Sequence, residues 1–401
     1  EVLFDCAGFG VCCKRQSICI RKMDTMRKSS IRLTAIAGCS ALLLGVVTYS
    51  VCHPGQEILV TGHDETGESM KEIPSSYQLE ISDNKKINAK VVVPDAVSEK
   101  GYHSATAKMI TLDEEYLYQY FDGQYHITEK EKVENGADEN DCIYYGSTDG
   151  ATMFLYGNTI YGVDMETQLQ TDIISTIRDI DDEMYNGNRF PREESLEKFS
   201  IEECDKRVSD FLDEAGNVCP IQIFHRTLDA DILAEEAYAL QDDGSYEKIG
   251  RQWTDDDNGY ICNIFLLCND TPIYDQKNLR YGWRLQDNSM WQMTVTRGKI
   301  ASASLRAFYE INYSDACENM LSLDTVASLC AKQMQSMDEA NEITITEIYL
   351  ISIPLKVSQK EYQMRPVWLL QGTQKETFEG MDRPYVGDIV YAIDAVSGDL
   401  L

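Results

Sequence analysis

Histidine is scarce, with five residues in 401, and tryptophan scarcer, with four. Neither H-E-x-x-H nor G-x-S-x-G occurs, so the usual zinc-protease and serine-hydrolase signatures are absent. No two cysteines have the C-x-x-C spacing of a zinc site. Positive charge is short as well: 36 Lys and Arg stand against 67 Asp and Glu, a formal net charge of −31. Phosphate backbones and anionic lipid headgroups repel such a chain, which excludes nucleic acid as a partner. The acidity favours cationic partners, weakly held cations or simply a solvated surface.

One long apolar run stands out, Leu33 to Cys52, uncharged throughout and preceded by Arg27, Lys28 and Arg32. Twenty residues at 1.5 Å each reach about 30 Å, the thickness of a bilayer core. Cations on the leading side place the following chain outside the cytoplasm. Residues 55–401 hold 29 basic and 64 acidic residues, a net of −35, so the exported part carries the whole acidic excess. The run has three possible fates: a retained transmembrane anchor, a cleaved signal, or cleavage with lipid attached to cysteine. Ile36-Ala37-Gly38-Cys39 has the small residues of a lipoprotein site, close behind Arg32. Cys52 has the full apolar run before it. Cys39 and Cys52 are therefore the candidate lipidation positions. Met23 and Met26 stand before the basic residues, and either is a plausible physiological start. Residues 1–32 read as a cytoplasmic or upstream segment, 33–52 as signal or anchor, and 53–75, with Pro54, Gly55, Gly62, Gly67 and Pro74, as a linker.

Seven cysteines follow the apolar run, so they cannot all pair within one chain. A bridge such as Cys262–Cys268 is one reading. Small apolar core residues are the other, and Cys204 and Cys330 fall on helical apolar faces.

Apolar periodicity divides the remainder into three units, and the expected fold class is α+β. In the first, residues 76–196, Tyr77, Leu79 and Ile81 alternate with polar residues, as do Ile87, Ala89, Val91 and Val93. Asp83-Asn84-Lys85 between them predicts a hairpin, and Pro94 ends it. Thr111 to Glu114 reads as a capping box opening a helix with Leu112, Tyr116, Tyr120 and Phe121 on one side. Strands follow over 142–145 and 151–163, broken at Asp149-Gly150 and Gly157-Asn158. The second unit, 197–320, opens with a helix capped by Ser200 and Glu203 and ended by Gly216. Ile201, Cys204, Val208, Phe211, Leu212 and Ala215 form its apolar face. A charged patch, 242–258, reads as an insertion or loop and precedes strands over 260–268, 281–285, 291–296 and 302–309. The third unit, 321–401, repeats the order. Leu321 to Val326 parallels Phe199 to Cys204, and strands over 343–357, 367–371 and 389–395 follow. The two helix starts lie about 122 residues apart, as a duplication would place them.

Arg365-Pro366-Val367-Trp368, followed by Tyr391 to Gly398 with its D-A-x-x-G turn, resembles the ending of PepSY-type domains. It is also similar to the related extracytoplasmic YycH/YycI regulators. The order resembles, in addition, a family of uncharacterised clostridial (Firmicutes) surface lipoproteins. The shared features are Ile87–Pro94 (I-x-A-x-V-x-V-P), the Ser200 helix, Tyr260–Ile273 ending in T-P-I, and the Leu321 helix. The resemblance spans about 75–401 and implies antiparallel sheets each packed with a helix: an N-terminal α+β unit and two PepSY-like units. It implies a surface location and carries no catalytic residue.

The chemical motifs weigh toward structure. Ser195-Leu196-Glu197-Lys198 matches S-x-x-K, but S-D-N and K-T-G are missing. Asp179, Asp181, Asp182 and Glu183, and Asp255, Asp256 and Asp257, lack the spacing of a calcium loop and read as solvated acidic runs. Asp394, Ser397 and Gly398 suit a tight turn, Pro366 an edge-strand start, and Trp368 the core. Tyr116 and Tyr120, at helical spacing, read as core. No catalytic, cofactor or metal residue is assigned. The expected function is non-enzymatic: a membrane-tethered extracytoplasmic binding or regulatory module of the cell envelope. Its membrane contact runs through the N-terminal segment, and its partner is a protein, a peptide or a cell-wall ligand. The alternatives are an envelope hydrolase using Asp/Glu chemistry and, on fold analogy, a protease inhibitor.

Overall fold

Period-two alternation builds the first hairpin as expected. In the computed structural model β1 (Ser76–Ser82) pairs antiparallel with β2 (Lys85–Val92), and every second residue of β2 from Lys85 is buried. The structure describes residues 73–133, 142–147, 152–156, 159–164, 186–240, 245–275, 285–287, 289, 291–358, 360–376 and 384–401. The segments 1–32 and 33–52, Met23, Met26, Cys39, Cys52, most of the linker, Asp179 to Glu183, the turns at 149–150 and 157–158, and 281–284 lie outside them. Among the described residues no helix is long and apolar enough to cross a membrane.

Pro94 ends β2 and leads into the short helix α1 (Asp95–Lys100), then β3 (His103–Ile110). Helix α2 (Glu114–Tyr125) is capped by Asp113, whose carboxylate accepts the Tyr116 N–H at 3.0 Å. The expected cap at Thr111 is therefore displaced by two residues: Leu112 between them is buried, which fixes the chain's entry to the helix. Strands β4 (Ile127–Val133), β5 (Cys142–Ser147), β6 (Thr152–Tyr156) and β7 (Thr159–Asp164) form an antiparallel meander.

Helix α3 (Ile201–Glu214) carries the complete Ser200–Glu203 capping box and buries Cys204, Val208, Phe211 and Leu212. Burial of each large apolar side chain there contributes about 1.5–3 kcal/mol. Strand β8 (Ile221–Leu228), helix α4 (Ala230–Glu236), the hairpin of β9 (Tyr238–Leu240) and β10 (Tyr246–Lys248), and a 3-10 turn (Asp255–Asp257) follow. Part of the charged patch expected as a loop is thus strand and turn. Then come β11 (Gly259–Cys268), β12 (Thr271–Pro272), β13 (Trp291–Thr296), β14 (Ile300–Leu305) and β15 (Phe308–Cys317). The single strand expected over 302–309 is two, broken before Ala307, which has φ 54. Leu285, expected to end a strand, opens a 3-10 turn. Helix α5 (Leu323–Ser336), capped by Ser322, precedes β16 (Glu342–Lys356), β17 (Glu361–Glu376) and β18 (Tyr385–Asp394).

The result is a mixed, strand-rich fold with curled, largely antiparallel sheets. Both α3 and α5 are followed by antiparallel pairings, β8–β11–β13 and β16–β17–β18. The seven-stranded sheet runs β1-β2-β16-β17-β3-β15, with β18 also on β17, and β2 and β16 pair in parallel. The nine-stranded sheet runs β12-β11-β13-β14-β7-β6-β5-β4, with β8 on β11. Residues 76–196 therefore send β1–β3 to one sheet and β4–β7 to the other. Residues 70–401 form one compact unit. A lone hairpin cannot bury its apolar face; here α5 packs against β1 and β2, and β16 extends the sheet beside β2.

Between the sheets lies a shared core. Phe224 and Phe265 from the nine-stranded sheet meet Tyr349, Ile351, Val367 and Leu369 from the seven-stranded one. Pro366 does not start an edge strand. It sits inside β17, where Met364 pairs with Ala105 of β3 and Val367 with Asp394 of β18. Proline has no N–H to offer, and this change of partner is where that loss is tolerated. Trp368 is buried, as expected.

Candidate functional site

Ionisable and nucleophilic groups converge beneath α3. Cys204, the fourth residue of the helix, points at the sheet. On the sheet, His225 of β8 stands directly opposite Cys262 of β11 in the antiparallel register. Both thiols and the imidazole are buried. The sulfurs of Cys204 and Cys262 are 3.5 Å apart, and ligand atoms of Cys204, His225 and Cys262 all lie within 4.8 Å of one another.

Two carboxylates clamp the imidazole. The Nδ1 donates to Glu193 Oε2 at 3.0 Å and Nε2 to Asp205 Oδ1 at 2.8 Å. With both nitrogens facing carboxylate oxygens, the ring is an imidazolium. The His225 side chain is 3% exposed, whereas Glu193 and Asp205 are 51% and 43% exposed. Burial alone would depress the His225 pKa. The hydrogen bonds and charges of Asp205 and Glu193 outweigh it and push the pKa to about 9. Burial acts against the Glu193 carboxylate too, yet hydrogen bonds from His225 hold its pKa below the ordinary value.

Local chain geometry supplies Glu193. The segment before α3 runs along the outer edge of β8: Thr227 N–H donates to Pro191 O at 2.8 Å, and Arg192 bridges Arg226. Glu193 adopts φ 54, a left-handed conformation, and its Oε1 accepts the His225 N–H at 2.7 Å. Tyr260 closes the inner side. Its ring meets the imidazole edge-on at 5.7 Å, and its hydroxyl donates to Phe199 O at 2.6 Å. Arg207, with its guanidinium 5.0 Å from the Phe199 ring, donates to Thr296 O at 2.7 Å and fastens α3 to the β13–β14 turn.

A divalent metal would find two soft sulfurs and one imidazole here. The imidazole would first have to give up a proton and one of its carboxylates, because both nitrogens are engaged. Burial also pushes the Cys262 thiol well above its ordinary pKa, which disfavours a thiolate ligand. The donor set as it stands fits a charged clamp beside a pair of buried cysteines better than a coordination shell.

A second feature lies at the surface. Strand β15 ends its sheet, and beside it runs a groove of about 410 Å³ lined by Ile110, Val218, Pro220, Glu310, Ile311 and Tyr313. Val218 is 65% and Tyr313 52% exposed, a large apolar outlay for a chain this acidic.

The other motifs resolve into structure. Ser195 Oγ accepts the Ile201 N–H at 3.2 Å, while Lys198 pairs with Asp255, so the S-x-x-K residues do not act on each other. Asp257 is not solvated: it is largely buried and binds Arg251 and the Thr254 N–H. Tyr116 and Tyr120 are half-buried and pack on Phe211 at 6.1 and 4.9 Å. Cys262 and Cys268 share one extended strand six residues apart, about 20 Å at the usual rise, so the bridge considered between them cannot form. His225 was missed because β8 was missed. The available signal was alternation through Ile221, Ile223, His225 and Thr227, which sets a histidine on a core-facing position.

Comparison with solved structures finds a similar fold. A crystal structure of an uncharacterized protein from Eubacterium rectale ATCC 33656, at 1.45 Å resolution, superposes with a TM-score of 0.63 and 14% sequence identity. The match covers 83% of this chain and 96% of that one. At this identity the likeness is one of fold. No family model matches the chain, and no curated protein does.

Proposed function

We propose that the chain is a non-catalytic binding or regulatory module of the cell envelope. Residues 33–52 hold it to the membrane and 76–401 lie outside the cytoplasm. The two helix-then-sheet units, from Ser200 and Ser322, are read as PepSY-like, within a clostridial surface lipoprotein family. Cys39 or Cys52 is the lipid-bearing residue if the segment is cleaved. The observation that carries the binding role is the apolar groove beside the terminal strand β15. A strand at the end of a sheet offers backbone donors and acceptors to an extended segment, and the adjoining pocket supplies side-chain selectivity. The ligand class is therefore an extended peptide or protein segment. The net negative charge of the chain, with Glu310 in the groove, favours a cationic one.

The test has two parts. Protease added to intact cells should digest the body of the protein, and full protection would overturn the location. A photo-crosslinking residue at Val218 or Tyr313 should capture an envelope protein or peptide, and Ile311→Asp should abolish the capture. Crosslinks confined to cytosolic proteins, or turnover of an envelope substrate lost on replacing one Asp or Glu, would overturn the binding reading.

A further inference from the structure

We propose that Cys204 and Cys262 form a disulfide when the chain folds in an oxidising setting, a covalent staple between α3 and β11. This inference stands apart from the binding role. It rests on the 3.5 Å separation of two sulfurs carried by different elements, both free thiols in this structure. Fifty-eight positions separate them in sequence, so the bond would close a long loop through β8, α4 and the β9–β10 hairpin.

The surroundings favour this pairing over a metal. Both ring nitrogens of His225 are taken by Glu193 and Asp205, which leaves the two sulfurs facing each other. The sulfurs are within about 1.5 Å of the bonded separation. A metal would need the imidazole stripped of a proton and a carboxylate.

The chemistry is thiol–disulfide exchange with an oxidant of the disulfide class, such as oxidised glutathione or a dithiol oxidase. One cysteine thiolate attacks the oxidant's disulfide. A mixed disulfide forms and one oxidant thiol leaves. The second cysteine then displaces the other oxidant thiol. Two electrons pass to the oxidant, and the two protons given up by the cysteines end on its thiols. Burial raises the Cys262 pKa, so thiolate is scarce once the core has closed. The exchange therefore belongs to folding, before α3 docks, and the finished bond is shielded from reductant.

The experiment refolds the full chain in detergent with a reduced/oxidised glutathione buffer, and in parallel with reductant alone. Both samples are then alkylated under denaturing conditions and their peptides mapped by mass spectrometry. The expected result in the oxidised sample is a linked pair of peptides containing Cys204 and Cys262, lighter by about 2 Da than the two thiol peptides. Its Tm should rise by roughly 5 °C over the reduced sample. Cys204→Ser and Cys262→Ser should each remove the linked pair. A Cys204→Ala/Cys262→Ala variant that gives the same circular dichroism spectrum shows that the fold itself does not need the thiols. Full alkylation of both residues in the oxidised sample would overturn the proposal. So would linkage of either to another cysteine, or stoichiometric zinc whose removal is needed before the two sulfurs can be alkylated.

Discussion

Arg365 and Asp394 lie 29 positions apart and meet in a two-point ion pair. Arg365 Nε and Nη2 donate to Asp394 Oδ2 at 3.2 and 2.9 Å. The other carboxylate oxygen accepts the N–H groups of Val396 and Ser397 at 2.8 and 2.9 Å, forming the turn that Gly398 completes at φ +80. One carboxylate thereby ties the R-P-x-W strand to the D-A-x-x-G turn, the two motifs that drew notice in the sequence. Burial opposes the charge on Asp394, but the backbone and guanidinium donors hold its pKa below the ordinary value. Asp394→Ala should cost on the order of 3 kcal/mol in urea unfolding, since it strands Arg365 and two N–H groups. Asp394→Asn should cost less, because its oxygen still caps the turn. Equal losses for both variants would show that the ion pair, and not the turn, carries the effect.

The His225 clamp predicts a loss of stability toward high pH. Its folded pKa, about 9, exceeds the unfolded value near 6.5. The stabilisation is therefore complete below about pH 6.5 and disappears as pH rises through about 9. After allowance for solvent around the half-exposed Glu193 and Asp205, it amounts to about 2 kcal/mol. Urea midpoints measured from pH 6 to pH 10 should fall across that window in the wild type. The fall should be absent in His225→Gln. A slope that survives this substitution would place the titrating group elsewhere.

Much of the scaffold was legible because its signals are local. The helix caps at Ser200 and Ser322, the Ile87–Val93 alternation and the Asp83–Lys85 turn each depend on neighbours a few residues away, and each appears in the fold. What was not legible is non-local. No local signal says that β2 will pair in parallel with β16, some 250 residues onward, or that β3 and β18 will share one edge of β17. The candidate site failed for the same reason. Cys204 was read correctly as a residue on a buried helical face, but its partners His225, Glu193 and Cys262 come from separate segments. Side-chain alternation also hides irregularity. In β16 the core-facing series Ile343, Ile345 shifts to Ile348, Leu350 across a bulge at Ile345–Glu347.

Gly372 faces that bulge across the β16–β17 ladder, opposite Ile345. A Cβ there would lie 1.9 Å from the Thr344 carbonyl oxygen, a backbone atom that cannot swing aside. Gly372→Ala should therefore destabilise by on the order of 3 kcal/mol, far more than the propensity change alone. Equilibrium unfolding would read this directly. A substitution that is neutral, or that stabilises as an ordinary Gly→Ala change in a strand would, contradicts the close approach.

The two sheets are also joined through a buried chain of hydroxyls, and its energetics can be separated. Thr271 donates to Cys268 O at 2.6 Å and lies 2.6 Å from Ser352 Oγ, which lies 2.7 Å from the Tyr102 hydroxyl. Beside them Tyr274 N–H donates to Ser352 O at 2.8 Å, carrying the end of the nine-stranded sheet onto β16. All three hydroxyl-bearing side chains are fully buried, so each donor needs its neighbour. Ser352→Ala removes the middle member and should cost about 1–3 kcal/mol. Thr271→Val should cost a similar amount. Because each single change already removes the Thr271–Ser352 contact, the double variant should lose less than the sum, by about 0.5 kcal/mol or more. A double-mutant cycle in urea measures this difference. Strict additivity would mean that the hydroxyls act independently and that apolar packing around Ile273 joins the sheets.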